Sequence, residues 1–222
     1  MLPMQQNEKI FKNPLFFGFA QAEIESMLDI LQAKTIKIAE KRVVIREGER
    51  NPYIFMVLSG EAYGIKYDIF GRETIYNHFS PGSVFGDVLA VSAVKESPVT
   101  VIASPGTELL QFRFDSLVSA KTEHLELRSK LLRNLTSELA NKFFELQDRV
   151  DCLVAPSLRE KIMMFLENQT KKQKSKKITL SLNRERLAAY LNTDRSALCR
   201  ELSRMKKDGI IDFDKKEFVL LV

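Results

Sequence analysis

The sequence predicts an α+β chain in three parts: an N-terminal antiparallel β-roll, a long dimerisation helix and a C-terminal winged helix-turn-helix. Three observations predict it. Residues 34 to 112 carry short β-type runs punctuated by glycine turns; residues 117 to 153 contain neither glycine nor proline and repeat apolar residues at helical spacing; residues 187 to 222 place two short helices ahead of a terminal hairpin. The expected domains are residues 1–116, 117–153 and 154–222.

In the first part, a helix over Gln21 to Leu31 precedes strands at Lys34 to Ile38, Arg42 to Ile45, Tyr53 to Ser59, Glu61 to Tyr67, Glu73 to Phe79, Ser83 to Phe85, Pro98 to Ala103 and Thr107 to Phe112. Turns fit Glu47-Gly48-Glu49, Ser59-Gly60-Glu61, Phe70-Gly71-Arg72, Pro81-Gly82 and Pro105-Gly106, the rhythm of a small antiparallel roll. Such an interior either is filled by side chains or encloses a ligand, and the pattern leaves both open.

The middle part reads as one helix from about Leu117 to Leu153. Leu127, Leu131, Leu135, Leu139, Phe143, Leu146, Val150 and Leu153 follow in steps of three and four, close to a coiled-coil stripe. The first reading is a seam against a second copy of the chain; the alternative is packing against its own β domain.

In the last part, Leu187, Ala188 and Leu191 give a short helix an apolar face, and Asn192-Thr193-Asp194 breaks it and offers N-cap oxygens. A second helix starts near Arg195. Its Leu198, Leu202 and Met205 face the core, while Arg195, Ser196, Arg200 and Arg204 fall largely on other faces. Two helices joined by a short turn, the second carrying arginines, have the geometry of a major-groove reader. The planar fork of arginine pairs with both acceptors on a guanine edge. A basic surface helix is the plainer alternative.

Gly209 suits the left-handed position after the helix, and Ile210 to Phe213 with Phe218 to Val222 form a hairpin whose tip carries Lys215 and Lys216. Those lysines either touch phosphate beside the groove or keep the hairpin soluble. The candidate DNA contacts are thus Thr193, Asp194, Arg195, Ser196, Arg200, Arg204, Lys215 and Lys216.

Charge is distributed in the same sense. Residues 155–222 hold 16 Lys plus Arg against 9 Asp plus Glu, and residues 1–154 hold 18 against 20, so the whole excess of +5 lies in the last third. The run Lys171 to Lys177 supplies five of those charges and reads as a solvated loop.

At 222 residues, 45% apolar and 28% charged, the chain suits two modest globular domains. No stretch approaches the roughly 18 apolar residues a membrane helix needs, and a cytoplasmic protein without a membrane partner is expected. Cys152 and Cys199 are too far apart for a CxxC pair, so no metal or other cofactor is expected and each reads as a buried or half-buried side chain. An enzyme is not indicated. There is no GxxxxGK, GxGxxG, HExxH or GxSxG element, and His78 and His124 are the only histidines. The second helix lacks the aromatic platforms expected of an RNA reader.

The order of parts, with IREGERNPYIFMVLSGEAYGI, FSPGSVFGDVLAV and DRSALCRELSRMKKDGIIDF, resembles the cyclic-AMP receptor and fumarate-nitrate regulator (CRP/FNR) family of bacterial transcription factors over nearly the whole chain. The resemblance implies a homodimeric regulator with a cyclic-nucleotide-binding-like roll. Its partners would be double-stranded DNA, a second copy of the chain, a small-molecule effector of unstated identity and, as the resemblance admits, RNA polymerase. Arg195 and Arg200 fall where members place base-reading arginines; Ser196 stands where many carry a glutamate that accepts from cytosine, which implies a different half-site at that base pair.

The effector region departs further. The implied pocket comprises Phe85, Gly86, Asp87, Val88, Ser97, Pro98 and Val99, but Ser97 and Pro98 stand where cyclic-nucleotide-binding members carry a phosphate-holding arginine and a serine or threonine. Without that countercharge a buried phosphodiester is disfavoured, so cyclic AMP is not the expected effector. Substitutes for it would be Arg113, Arg72 or Lys95, and a haem would need His78, the only histidine of the predicted roll. The N-terminal cysteine cluster of oxygen-sensing members is missing.

Overall fold

The computed structural model describes residues 10–92, 96–119, 124–180 and 182–221. Contacts divide the chain into two units, Met1–Leu139 and Ala140–Val222, with the boundary inside the long helix.

In the first unit the elements run α1 (Gln21–Ile30), β1 (Lys34–Lys37), β2 (Arg42–Ile45), β3 (Tyr53–Ser59), β4 (Ala62–Tyr67), β5 (Glu73–Phe79), β6 (Val84–Phe85), α2 (Asp87–Val91), β7 (Thr100–Ala103), β8 (Glu108–Arg113) and α3 (Phe114–Val118). Among the described residues the strands form two antiparallel sheets, in the orders β1-β8-β3-β6 and β2-β7-β4-β5. The β3–β4 turn needs glycine: Gly60 has φ +74°, and a Cβ there would lie 2.6 Å from the Thr107 Cα.

Strand β3 shows where the core sits. Its Phe55 and Val57 point between the sheets, beside Ile38, Ile45, Phe85, Val101 and Leu109. Its Ile54, Met56 and Leu58 point outward, and there they meet Ile24 and Met27 of α1 together with Leu131 and Leu135. Both faces of β3 are therefore buried, which explains its continuous apolar run.

The long helix α4 (Leu125–Val154) corrects the expectation of a helix from Leu117. Helix α3 stops at Val118, Ser119 is extended in ψ at 145°, and His124 sits at φ +57°. The stop has a tertiary cause. Arg128, buried at the start of α4, donates through Nη1 to the Ser116 carbonyl at 2.8 Å and to the Ser119 hydroxyl at 2.6 Å, holding the end of α3 with a cation.

The second unit continues with α5 (Leu158–Gln173), β9 (Lys177–Thr179), α6 (Arg184–Tyr190), α7 (Arg195–Lys207), β10 (Ile211–Asp214) and β11 (Glu217–Leu220). Its core joins Ile162 and Leu166 to Leu187, Leu198, Leu202 and Phe218. The expected hairpin gains a third strand, since β9 pairs with β11 in a β10-β11-β9 sheet. The lysine run is a solvated loop only in its middle: Lys171 and Lys172 lie in the last turn of α5, Lys174 takes its left-handed C-cap position, Lys176 lies in the connection and Lys177 opens β9, all five exposed. Among the described residues no helix is long and apolar enough to cross a membrane.

Candidate nucleic-acid interface and effector region

Helix α6 begins at Asn183, whose side-chain oxygen accepts from the Arg186 N–H at 2.8 Å. It ends in a tight turn with Asn192 at φ +50°, and the Thr193 N–H donates to the Ala188 carbonyl at 3.0 Å. Helix α7 then buries Leu198, Leu202 and Met205. Arg195, Ser196, Arg200 and Arg204 are all exposed, with Ser196, Arg200 and Arg204 on one stripe four residues apart. Thr193 is half-buried and Asp194 exposed. Asp194 stands at the N-cap, but its carboxylate makes no cap hydrogen bond, contrary to the expected capping role. Its charge still lies near the positive end of the α7 dipole, but the first N–H groups of the helix donate no hydrogen bond to it.

Side chains that sequence patterns did not single out hold this helix in place. Arg159 of α5 reaches Glu201 through Nε at 2.6 Å and Asp208, just past the end of α7, through Nη1 at 2.8 Å. The two carboxylates, Glu201 foremost, raise its guanidinium pKa. Arg204 shares Glu201 at 3.4 Å. Against the wing, Arg184 at the start of α6 lies over the rings of Phe213 and Phe218 at 5.0 and 4.6 Å, and burial lowers its pKa. Lys206 pairs with Asp212, and its hydrogen bond holds that carboxyl below the ordinary aspartate range. At the tip, Lys215 at φ +49° and Lys216 are exposed.

In the roll, Phe85, Gly86 and Asp87 form the junction of β6 and α2. Gly86 has φ +78°, and a Cβ there would strike the Tyr53 carbonyl at 2.6 Å. Asp87 and Ser97 are buried; the Ser97 hydroxyl donates to the Val99 carbonyl at 2.7 Å, and its backbone exchanges hydrogen bonds with Gly48 and Glu49. Val99 is half-buried against the inner core, whereas Val88 and Pro98 are exposed. The space between the sheets beside Phe85 holds aromatic rings: Phe85 stacks on Phe55 at 5.1 Å and on Phe79 at 4.7 Å.

The proposed stand-ins for the missing arginine are engaged elsewhere. Arg113 pairs with Asp115 at 3.0 Å and Arg72 with Asp68 at 2.7 Å; Lys95 lies outside the described residues. His78 stacks on Tyr63 at 4.9 Å and faces Glu61 at 3.5 Å. Among the described residues no cluster of three or more His, Cys, Asp or Glu is placed to hold a metal ion. Both cysteines are free, and burial raises the pKa of Cys152.

The apolar stripe of α4 divides. Leu131 and Leu135 are fully buried in the first unit, and Leu127 and Leu139 pack against the same core. Phe143, Leu146 and Val150 are exposed, at 62, 61 and 50%. This corrects the reading of the whole stripe as one seam: Leu131 and Leu135 have no surface left for a second copy.

A β-roll and a winged helix-turn-helix, linked through a long helix, with an exposed arginine face on the second helix, define a DNA-binding transcription regulator. Residues 35–124 match the family model described as a cyclic nucleotide-binding domain, and residues 160–221 match the Crp-like helix-turn-helix domain. The chain belongs to the CRP/FNR family of bacterial transcription regulators. Solved structures similar in fold include the catabolite activator protein of Thermus thermophilus (20% identity, TM-score 0.51, 94% of this chain and 93% of that one). Others are the c-di-GMP-responsive global regulator CLP of Xanthomonas campestris (18%, 0.57, 91% and 100%) and DNR of Pseudomonas aeruginosa (15%, 0.51, 100% and 96%). A search of curated protein sequences returns no match.

Proposed function

We propose that the protein is a cytoplasmic homodimer, not an enzyme, that binds a palindromic DNA site and is gated by a small-molecule effector other than cyclic AMP. The observation that carries the DNA reading is the exposed stripe of Ser196, Arg200 and Arg204 beside Arg195, on a helix anchored from behind by Arg159. Arg200 and Arg195 read base edges, Ser196 alters the preference at one base pair, and Thr193, Asp194, Lys215 and Lys216 flank the contact. The exposed stretch of α4 around Phe143, Leu146 and Val150 serves as the seam with the second copy, and a two-fold dimer presents two reading helices to two half-sites. RNA polymerase is the partner through which such a regulator acts on a promoter.

Against cyclic AMP stand Ser97, buried and bonded to Val99, and the exposed Pro98 where a cation is needed. Gating then works by population shift: the effector favours one arrangement of the dimer by its differential binding energy. The Phe55–Phe85–Phe79 stack favours a second reading, a constitutive DNA-binding regulator whose roll is filled by its own side chains.

The test is a selection of genomic DNA with purified protein, then titration of the best site at controlled salt with wild type and Arg200→Ala. A two-fold symmetric site is expected, with specific affinity falling by about 1–3 kcal/mol in the variant and the dimer intact. Unchanged specific affinity would remove Arg200 from the reading face.

A further inference from the structure

The roll holds a cavity that does not involve the junction of β6 and α2 directly. It has a volume of about 240 Å³ and opens where the edge strands β1 and β2 part. Ile36, Val43, Val44 and Tyr53 give it apolar walls over the buried Ile38, Phe55 and Leu109, and Arg42 and Arg50 both contribute to its lining. Both arginines are exposed. Among the described residues no ion pair joins a carboxylate to either of them; Glu49 pairs with Arg46 at 3.4 Å and Glu47 with Lys66 at 3.8 Å, and Glu96 lies across an isolated backbone bridge from Arg50.

We infer that this cavity binds a small oxyanion, a carboxylate or phosphate monoester, carried on an apolar body. The volume lies below the roughly 300–1,000 Å³ of sites for drug-sized ligands, so the body is a short acyl chain or a single ring. Such a body covers the apolar walls, and the anionic head accepts charge-assisted hydrogen bonds from the guanidinium forks of Arg42 and Arg50. An uncharged ligand forgoes those bonds, and a bare anion leaves the apolar walls wet.

The site is also wired to the β6–α2 junction. Asn51, buried in the cavity lining, donates to the Tyr53 carbonyl at 2.6 Å, and its amide nitrogen lies only 2.9 Å from where a Gly86 Cβ would be. Arg50 forms an isolated antiparallel bridge with Glu96, next to Ser97. A ligand held by Arg50 therefore sits one backbone bridge away from Glu96 and the buried Ser97. As an effector site this rests on the gated reading above; as a binding site it stands independently.

The experiment titrates the full chain with hexanoate, benzoate and phenyl phosphate, with hexanol, benzyl alcohol and inorganic phosphate as controls, by calorimetry. At least one apolar-bodied anion is expected to saturate one site per chain with a dissociation constant below about 1 mM. Carboxylates against phenyl phosphate identify the head group. The controls and the Arg42→Gln, Arg50→Gln double variant should bind at least tenfold more weakly, with the variant's unfolding transition and specific DNA binding confirming that it is folded. The inference is overturned if none of the three anions saturates, if a neutral analogue or inorganic phosphate binds as well, or if the folded double variant binds like wild type. Repeating the titration of the selected DNA site with the bound anion separates the two readings: a change of affinity supports gating, and saturable binding without change keeps the site and overturns gating.

Discussion

The two halves of α4 have similar composition and opposite fates. From Leu125 to Leu139 the helix lays leucines against the outer face of the β1-β8-β3-β6 sheet, and Leu131 and Leu135 lose all contact with water. From Ala140 to Val154 it carries Phe143, Phe144, Leu146, Val150 and Val154, each at least half exposed. Apolar side chains of that size left bare along one helix are what the proposed seam with a second copy would cover. The same half also anchors the second unit through Cys152, which is buried in its core.

The largest effect that separates the halves should come from placing charge in the bare one. Phe143→Asp combined with Leu146→Asp is expected to raise the dimer dissociation constant at least about 100-fold, a loss of roughly 2.7 kcal/mol, while the monomer stays folded. Sedimentation equilibrium measures it, and an unaltered dimer would put the seam elsewhere. In the buried half, Leu131→Ala or Leu135→Ala should cost about 2–5 kcal/mol of folding stability through the cavity each leaves, with little change in dimer affinity. Denaturant unfolding beside the same sedimentation series checks this; a weakened dimer with intact stability would break the comparison.

The smallest effect concerns the ion pair fastening the buried half to α1, where Lys130 meets Glu23 at 3.0 Å. The Ala20 N–H, and then Lys130, hold the Glu23 carboxyl below its ordinary value. Its stabilisation is therefore complete above the usual glutamate range and fades as pH falls through the lowered value. Wild type and Glu23→Gln should differ slightly at neutral pH and converge in acid, as thermal unfolding at a series of pH values would reveal.

Much of the roll was readable residue by residue, with β2, β3 and β5 occurring at the expected bounds because turn residues punctuate them. The stripe on α4 was harder. Steps of four drift by about 40° each on a helix of 3.6 residues per turn, so Leu127 to Leu139 wander off any single seam, whereas alternating steps of four and three from Leu139 onward hold one line. Leu132, seven residues before Leu139 and 40% exposed, begins that line and was legible by the same rule. Strand β9 was hidden by its lysines, though Ile178 and Leu180 alternate correctly. The exposed arginines of α7 followed from the spacing of Leu198 and Leu202. Arg159, Arg184 and the stacked phenylalanines did not, because pairing between distant elements leaves no local period to find.

The grip of Arg159 on α7 reaches beyond fastening. One guanidinium clasps Glu201 within the helix and Asp208 beyond its end, so rolling α7 about its own axis would tear two contacts at once. The direction in which Arg200 projects is therefore set when the second unit folds. On the proposed reading, an effector would carry this block as a whole, changing how often it meets its site and leaving unchanged the sequence it prefers.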